Sequence, residues 1–201
     1  MTGFKHLSLR IDEHGIATVI IDAAGRSMNV FDDEMLLEME HVVTQLDRQP
    51  GLTLIVFRSG KASGFIAGAD VGRIQSIPSR EVALELAHRG QQLFDRIENL
   101  PAPTVAIIHG PCLGGGLEFA LACRYRIAID TLSTRIGLPE TQLGLIPGWG
   151  GTQRLPRTVG LKAAVSLILE GKRLTATEAA RFGLIDATVA EADAERELPR
   201  L

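Results

Sequence analysis

The sequence predicts an α/β fold with parallel strand pairing, and three observations carry that prediction. Short apolar segments with strand character alternate with longer amphipathic segments, the signature of strand–helix–strand units. Two of the strand segments, Leu54 to Phe57 and Thr104 to Ile108, are continuously apolar rather than alternating, as strands buried on both faces are. The helical segments carry one apolar stripe each, so they are expected to lie on the faces of a sheet.

Taken in order, Leu7, Leu9 and Ile11 alternate, Glu13-His14-Gly15 turns the chain, and Ile16 to Asp22 reads as a second strand. Gly25-Arg26-Ser27 breaks it. Asp32-Asp33 caps a helix running to about Gln49, with Met35, Leu36, Met39, Val42, Val43 and Leu46 on one stripe. The strand at Leu54 is followed by a loop of small residues, KASGFIAGAD, from Lys61 to Asp70. A second amphipathic helix spans about Arg80 to Ile97, and Pro101 and Pro103 close it off. After the strand Thr104 to Ile108 comes the glycine-rich turn GPCLGGG (Gly110 to Gly116), which opens into the helix LEFALA. Tyr125 to Ile129 and Arg135 to Gly137 read as strands. Helices cover Gly151 to Val159, Lys162 to Leu169 and Thr175 to Phe182, and Ala187 to Val189 is a closing strand. Residues 1–189 read as one core. Residues 190–201, charged and without an apolar stripe, read as a polar tail or truncated helix.

Composition narrows the function. The net charge of −3 and the absence of a Lys/Arg run argue against nucleic-acid binding and against a polybasic membrane anchor. No apolar run approaches the roughly 20 residues that span a bilayer. The N-terminus lacks an apolar signal core. Cys112 and Cys123, the two cysteines, form no CxxC pair and point to a reducing, cytoplasmic setting. With one Trp and one Tyr in 201 residues, the core is expected to be aliphatic and rich in Ala and Gly.

Three features bear chemistry. The triplet Gly114-Gly115-Gly116 between a strand and a helix leaves backbone N–H groups at a helix N-terminus, a place for an anion or an oxyanion; it reads equally as a tight turn packed on a neighbour. Neither G-x-G-x-x-G nor G-K-[ST] is present. Glu118, the single acid of an apolar helix, is expected to be buried with a raised pKa, unless the helix turns it to water. Glu140 lies among Leu138, Pro139 and Leu143, shortly before PGWGG; it is the second half of an acid/base pair or an ordinary loop acid. His109 reads as a hydrogen-bonded core residue, or as a base or ligand. No histidine spacing suggests a metal site, and no G-x-S-x-G elbow is present.

The blocks SMNVF, FIAGAD, AIIHGPCLGGGLEFALAC and GLPETQLGLIPGWGGTQRLPR, in this order, resemble the crotonase (enoyl-CoA hydratase/isomerase) superfamily from about Leu7 to Val189. Among its members, the N-terminal part of the bacterial multifunctional fatty-acid oxidation alpha subunit is the most similar type. The resemblance implies a crotonase-like spiral of ββα units with two perpendicular sheets, with the usual C-terminal helices missing from this stretch. It implies hydration of trans-2-enoyl-CoA to 3-hydroxyacyl-CoA, with Δ3-Δ2 isomerisation as a second activity. By motif match Glu118 and Glu140 are the acid and base, Ala69 and Gly115 supply the oxyanion-hole N–H groups, and Gly148 places the water. Substrate contacts fall on Arg26, Ser27, Met28, Asn29, Ala67, Gly68, Asp70, Val71, Leu113, Gly114 and Pro139. No separate cofactor or metal is implied, since CoA is part of the substrate. The implied partners are an acyl-CoA thioester, a homo-oligomer such as a trimer, or dehydrogenase and thiolase partners. Rival readings are a non-catalytic crotonase-fold module supporting a multienzyme complex, and an RNA-binding homologue, against which the charge speaks.

Overall fold

The computed structural model describes residues 3–190 and Asp193. The expected tail, 190–201, therefore lies outside the described residues apart from Ala190 and Asp193. Nine strands and seven helices are assigned among the described residues, and the α/β prediction holds.

A six-stranded sheet has the order β1 (Leu7–Ile11), β2 (Ile16–Ile21), β3 (Leu54–Ser59), β4 (Thr104–Ile108), β6 (Tyr125–Ile129), β9 (Ala187–Val189). The β1–β2 hairpin is antiparallel, and every later pairing in this sheet is parallel. A second, three-stranded sheet joins β5 (Pro111–Leu113), β7 (Arg135–Gly137) and β8 (Arg173–Leu174). The chain winds as a spiral of ββα units: β4 enters the large sheet, β5 the small one, and helix α4 (Gly115–Ala122) follows. One turn earlier, β3 lies in the large sheet, Ile66 bridges to Cys112 of β5, and α2 (Val71–Gln75) and α3 (Arg80–Glu98) follow. One turn later come β6, β7, a 3-10 turn at Pro139–Leu143 and helices α5 (Gly151–Val159) and α6 (Leu161–Glu170).

Helix α1 (Asp33–Arg48) forms where the stripe predicts it. The Asp32 side chain accepts the Met35 N–H at 2.9 Å, and all six stripe residues are buried. Helix α7 (Ala176–Arg181) starts one residue later than expected, because Thr175 is its cap and forms a capping box with Glu178. In α3 only the C-terminal half of the stripe enters the core, at Leu93, Phe94 and Ile97. Leu84 is exposed, and Ala83, Leu86 and Ala87 instead line a cavity.

The core is aliphatic and Ala-rich as expected, with one aromatic cluster inside it. Five of the seven Phe residues meet in one cluster, with Phe119 of α4 at 5.1 Å from Phe57, 5.7 Å from Phe94, 5.8 Å from Phe31 and 6.0 Å from Phe65, ring centre to centre. Scarcity of aromatics in the composition says nothing of their placement. All eight residues of α4 are buried, so this helix is the axis around which the units wind. Four short elements went unread from sequence: α2, β5, β8 and the 3-10 turn, each of five residues or fewer. A two-period or a 3.6-period is not established over so few positions.

Candidate active site

The glycine triplet fixes where α4 begins, and each glycine is required by a different neighbour. Gly114 sits at φ 53°, a backbone region open mainly to glycine. A Cβ on Gly115 would lie 2.7 Å from the Trp149 ring, and one on Gly116 would lie 2.3 Å from the Ile66 carbonyl oxygen. The segment before α2 also comes close, with the Ala69 N 3.6 Å from where a Cβ on Gly115 would lie. Phe31 accepts the Asp70 N–H and donates to the Gly68 carbonyl, so the Ala69 N–H faces the other way, toward Gly115. Among the described residues no acceptor takes the N–H of Ala69 or of Gly115.

Glu118, one turn into α4, is 2% exposed. Its Oε1 accepts two backbone N–H groups, from Trp149 and from Gly151, both at 2.8 Å. Neither bond uses Oε2. Burial pushes the Glu118 carboxyl up to about 6, while the Gly151 and Trp149 N–H groups and the charge of Arg154 pull the other way. The solvent-facing alternative for this residue is thereby ruled out.

Glu140 lies in the 3-10 turn, started by Pro139 and ended by Gly144 in the left-handed region. The turn is tied to its surroundings by Thr141 Oγ1 donating to the Ile168 carbonyl and Gln142 Nε2 to that of Gly171. Burial, and then repulsion from Glu118, raise the Glu140 carboxyl to about 7. Its Oε2 is buried without a hydrogen-bond partner, and no other buried side-chain N or O atom among the described residues stands so. Such an atom costs about 1–3 kcal/mol and asks for an explanation, of which a catalytic role is one.

Both acids line one cavity of about 290 Å³. Of the sequence-predicted residues, Ala67, Ala69, Asp70, Val71, Gly114, Gly115, Pro139 and Gly148 line it as well. Leu36, Ile74, Ile77, Leu86 and Ile146 make much of its remaining wall apolar, with Asp32, Asp33 and Arg73 the charged residues there. Gly68 and Leu113 abut the rim: a Cβ on Gly68 would meet the Leu113 carbonyl at 3.2 Å. The Arg26 to Asn29 segment stands apart from the cavity wall. Arg26 bridges Asp32 at 2.8 Å and Asp70 at 3.0 Å, Ser27 accepts from Ser63, and Met28 is exposed. The Asn29 side chain is used up inside the protein, accepting from the Ala23 N–H and donating toward Ile21 O, Ser59 Oγ and Phe65 O. His109 Nε2 lies 2.7 Å from the Lys61 carbonyl oxygen, the bonded core reading of that residue. Among the described residues no group of three or more His, Cys, Asp or Glu is placed to hold a metal ion.

This geometry coincides with a family match over residues 12–200, to enoyl-CoA hydratase/isomerase. The chain belongs to the enoyl-CoA hydratase/isomerase family. It is 48% identical over 191 residues to the fatty acid oxidation complex subunit alpha of Vibrio campbellii (strain ATCC BAA-1116), covering 95% of this chain and 27% of that protein. To the subunit of the same name from Vibrio vulnificus (strain CMCP6) it is 47% identical over 189 residues, covering 94% and 27%. The chain thus spans about a quarter of the length of these curated relatives. Among solved structures it resembles the enoyl-CoA hydratase from Bacillus anthracis, with a TM-score of 0.87 and 30% identity over 97% of this chain and 74% of that one. The enoyl-CoA hydratase of Mycobacterium smegmatis matches with a TM-score of 0.89 and 26% identity, covering 97% and 74%.

Three residues of this family member's site were not picked out as part of it from sequence. Arg154 is 6% exposed and reaches the Trp149 carbonyl at 3.2 Å. Gly90, in the middle of α3, makes room for the Trp149 indole, and Gly151 donates to Glu118. Only Gly90 carries a sequence signal, since a glycine inside a helix costs about 1 kcal/mol and so asks for a reason.

Proposed function

We propose that this chain adds water to a trans-2-enoyl-CoA thioester, giving the 3-hydroxyacyl-CoA. One observation carries the proposal: two carboxyls with raised pKa open onto one apolar cavity, beside two unclaimed N–H groups, those of Ala69 and Gly115. In this reading the thioester carbonyl accepts both N–H groups, and the α-carbon faces Glu140. Glu118, held in the charged form by two N–H donors and Arg154, takes a proton from water, whose hydroxyl bonds to the β-carbon. Glu140, titrating higher, gives its proton to the α-carbon. The intermediate charge falls on the thioester oxygen, where N–H donors lower the barrier by roughly 2.7–4 kcal/mol each. The Gly148 backbone lines the same space and would help place the water.

The acyl tail would occupy the apolar wall from Ile74 to Leu86. The CoA portion would follow backbone at Ala67, Gly68, Leu113 and Gly114 and the segment Arg26 to Asn29. The curated relatives are named as alpha subunits of a fatty acid oxidation complex, which supports a place in fatty-acid oxidation; dehydrogenase and thiolase partners are part of the proposal. A cytoplasmic setting goes with that reading. Among the described residues no helix is long and apolar enough to cross a membrane.

The test is the loss of conjugated-thioester absorbance with crotonyl-CoA. Glu118→Gln and Glu140→Gln should each lower kcat by about 10²–10⁴, the usual worth of a general acid or base. Hydration retained by Glu118→Gln overturns the assignment. A second reading, Δ3-Δ2 isomerisation, is favoured by the partnerless Glu140 oxygen, because shuttling one proton needs one carboxyl. Glu118→Gln separates the two, since isomerisation should survive it.

A further inference from the structure

We infer that Arg154 is a positioning residue for Glu118: braced by two acids of α3, it locks the turn whose backbone N–H groups hold the carboxylate. The inference rests on the hydratase reading and goes past it, since Arg154 reaches neither the cavity wall nor the reacting atoms.

The turn from Gly148 to Gly151 contains three consecutive peptide units. The first donates its N–H, on Trp149, to Glu118 Oε1. The third donates its N–H, on Gly151, to the same oxygen. The middle unit presents the Trp149 carbonyl, which accepts from Arg154 Nη1 at 3.2 Å. The third unit also presents the Gly150 carbonyl, which accepts the Arg154 backbone N–H at 2.8 Å. The Arg154 side chain therefore grips the middle unit, between the two donors, while the Gly150 carbonyl is held by the backbone N–H groups of residues 153 and 154 whatever side chain stands there. Contact is direct: a Cβ on Gly150, at φ 111°, would lie 2.2 Å from Nη1.

The guanidinium is itself anchored. Nε donates to Glu98 at 2.9 Å and Nη2 to Asp95 at 2.5 Å, both on α3. The Arg154 side chain is 7% exposed, whereas Asp95 and Glu98 are 66% and 47% exposed, so the acids face outward and the cation inward. A planar fork with several fixed donors serves this geometry; a lysine ammonium reaches only one partner at a time. The charged groups facing Glu118 are Glu140, from the 3-10 turn, and Arg154, from α5, with Asp95 and Glu98 of α3 standing behind Arg154. Loss of the Arg154 charge removes an attraction that favours ionised Glu118.

The experiment measures kcat and KM for crotonyl-CoA against pH, with thermal unfolding alongside, in Arg154→Met, Arg154→Lys and the double variant Asp95→Asn/Glu98→Gln. Arg154→Met should lower kcat by about tenfold to a hundredfold, the effect of a misplaced catalytic group. KM should change little, and the acid limb of the profile should move to higher pH. Arg154→Lys keeps the charge and loses the fork, so its limb should move less and part of kcat should return. The double variant leaves Arg154 in place without its brace, and should lower kcat several-fold at unchanged KM. It replaces exposed acids, so it reports even where Arg154→Met does not fold. Wild-type kcat and acid limb in any folded Arg154→Met, or wild-type kcat in the double variant, overturns the inference. Glu118→Gln distinguishes the failures: if it is inactive while the Arg154 variants are normal, the positioning role alone falls, and if it retains hydration, the hydratase reading falls and takes the inference with it.

Discussion

Replacing Gly90 by Ala sets two magnitudes of opposite sign against each other. In an exposed helix interior the change gains about 1 kcal/mol, because glycine gives up more backbone entropy on folding. Here the new Cβ would stand 2.3 Å from Trp149 Cδ1, 2.4 Å from Nε1 and 2.5 Å from Cγ. Ordinary carbon contacts need about 3.5 Å, so the indole must move by about 1 Å. On its packed sides there is no room. Its far edge already lies on Gly115, where a Cβ would be 2.7 Å away, and Phe31 and Phe94 meet it edge-on at 5.7 and 5.6 Å. Overpacking costs about 1–3 kcal/mol and disturbed aromatic pairs a further 0.5–1.5. Set against the gain, the net is a loss of about 1–3 kcal/mol, or a melting temperature lower by about 2–10 °C.

The same displacement pulls at the Trp149 N–H on Glu118, so kcat should fall with stability. Thermal unfolding and crotonyl-CoA turnover of Gly90→Ala measure both. The sharper control is the pair made in a Trp149→Ala background. With the indole gone, Gly90→Ala should reverse sign and stabilise by about 1 kcal/mol. A Gly90→Ala protein that is more stable than the parent and keeps full kcat would refute the packing argument.

Further outcomes follow from the same site. Hydration needs Glu118 ionised and Glu140 protonated, so kcat/KM should be bell-shaped with its maximum between about pH 6 and 7, read from initial rates across pH. A carboxyl raised from 4.5 to about 7 keeps its proton in the folded state after the unfolded chain has released one, so it lowers stability progressively as pH rises from 4.5 to about 7. At about 1.4 kcal/mol per unit, and discounted for partial exposure, Glu140→Gln should stabilise the fold by about 1–3 kcal/mol at pH 8 and by little at pH 4, checked by denaturant unfolding at both. Asn29→Ala should cost about 2–4 kcal/mol in denaturant unfolding, because it strands the Ala23 N–H and the Phe65 carbonyl in the interior, the Ile21 carbonyl keeping the Gly60 N–H; a loss under about 0.5 kcal/mol would refute this structural role.

What was legible depended on how local its cause was. Helix α1 could be read because Asp32 and six stripe residues lie within fifteen positions of one another. Glu118 could be singled out because a lone acid in LEFALA conflicts with its surroundings, and such conflicts collect where function is built. What holds Glu118 left no such mark. Its partners are backbone N–H groups, which every residue but proline carries, and the residue that orients them pairs with acids 56 and 59 positions away. Gly90 did leave a mark, a glycine inside an amphipathic helix, but the indole that explains it lies in another element. The site therefore divides in two. The groups proposed to do chemistry break a local rule and can be seen in the sequence. Those that hold them, Gly90 apart, obey local rules, and their role exists only once α3, α4 and α5 have packed together.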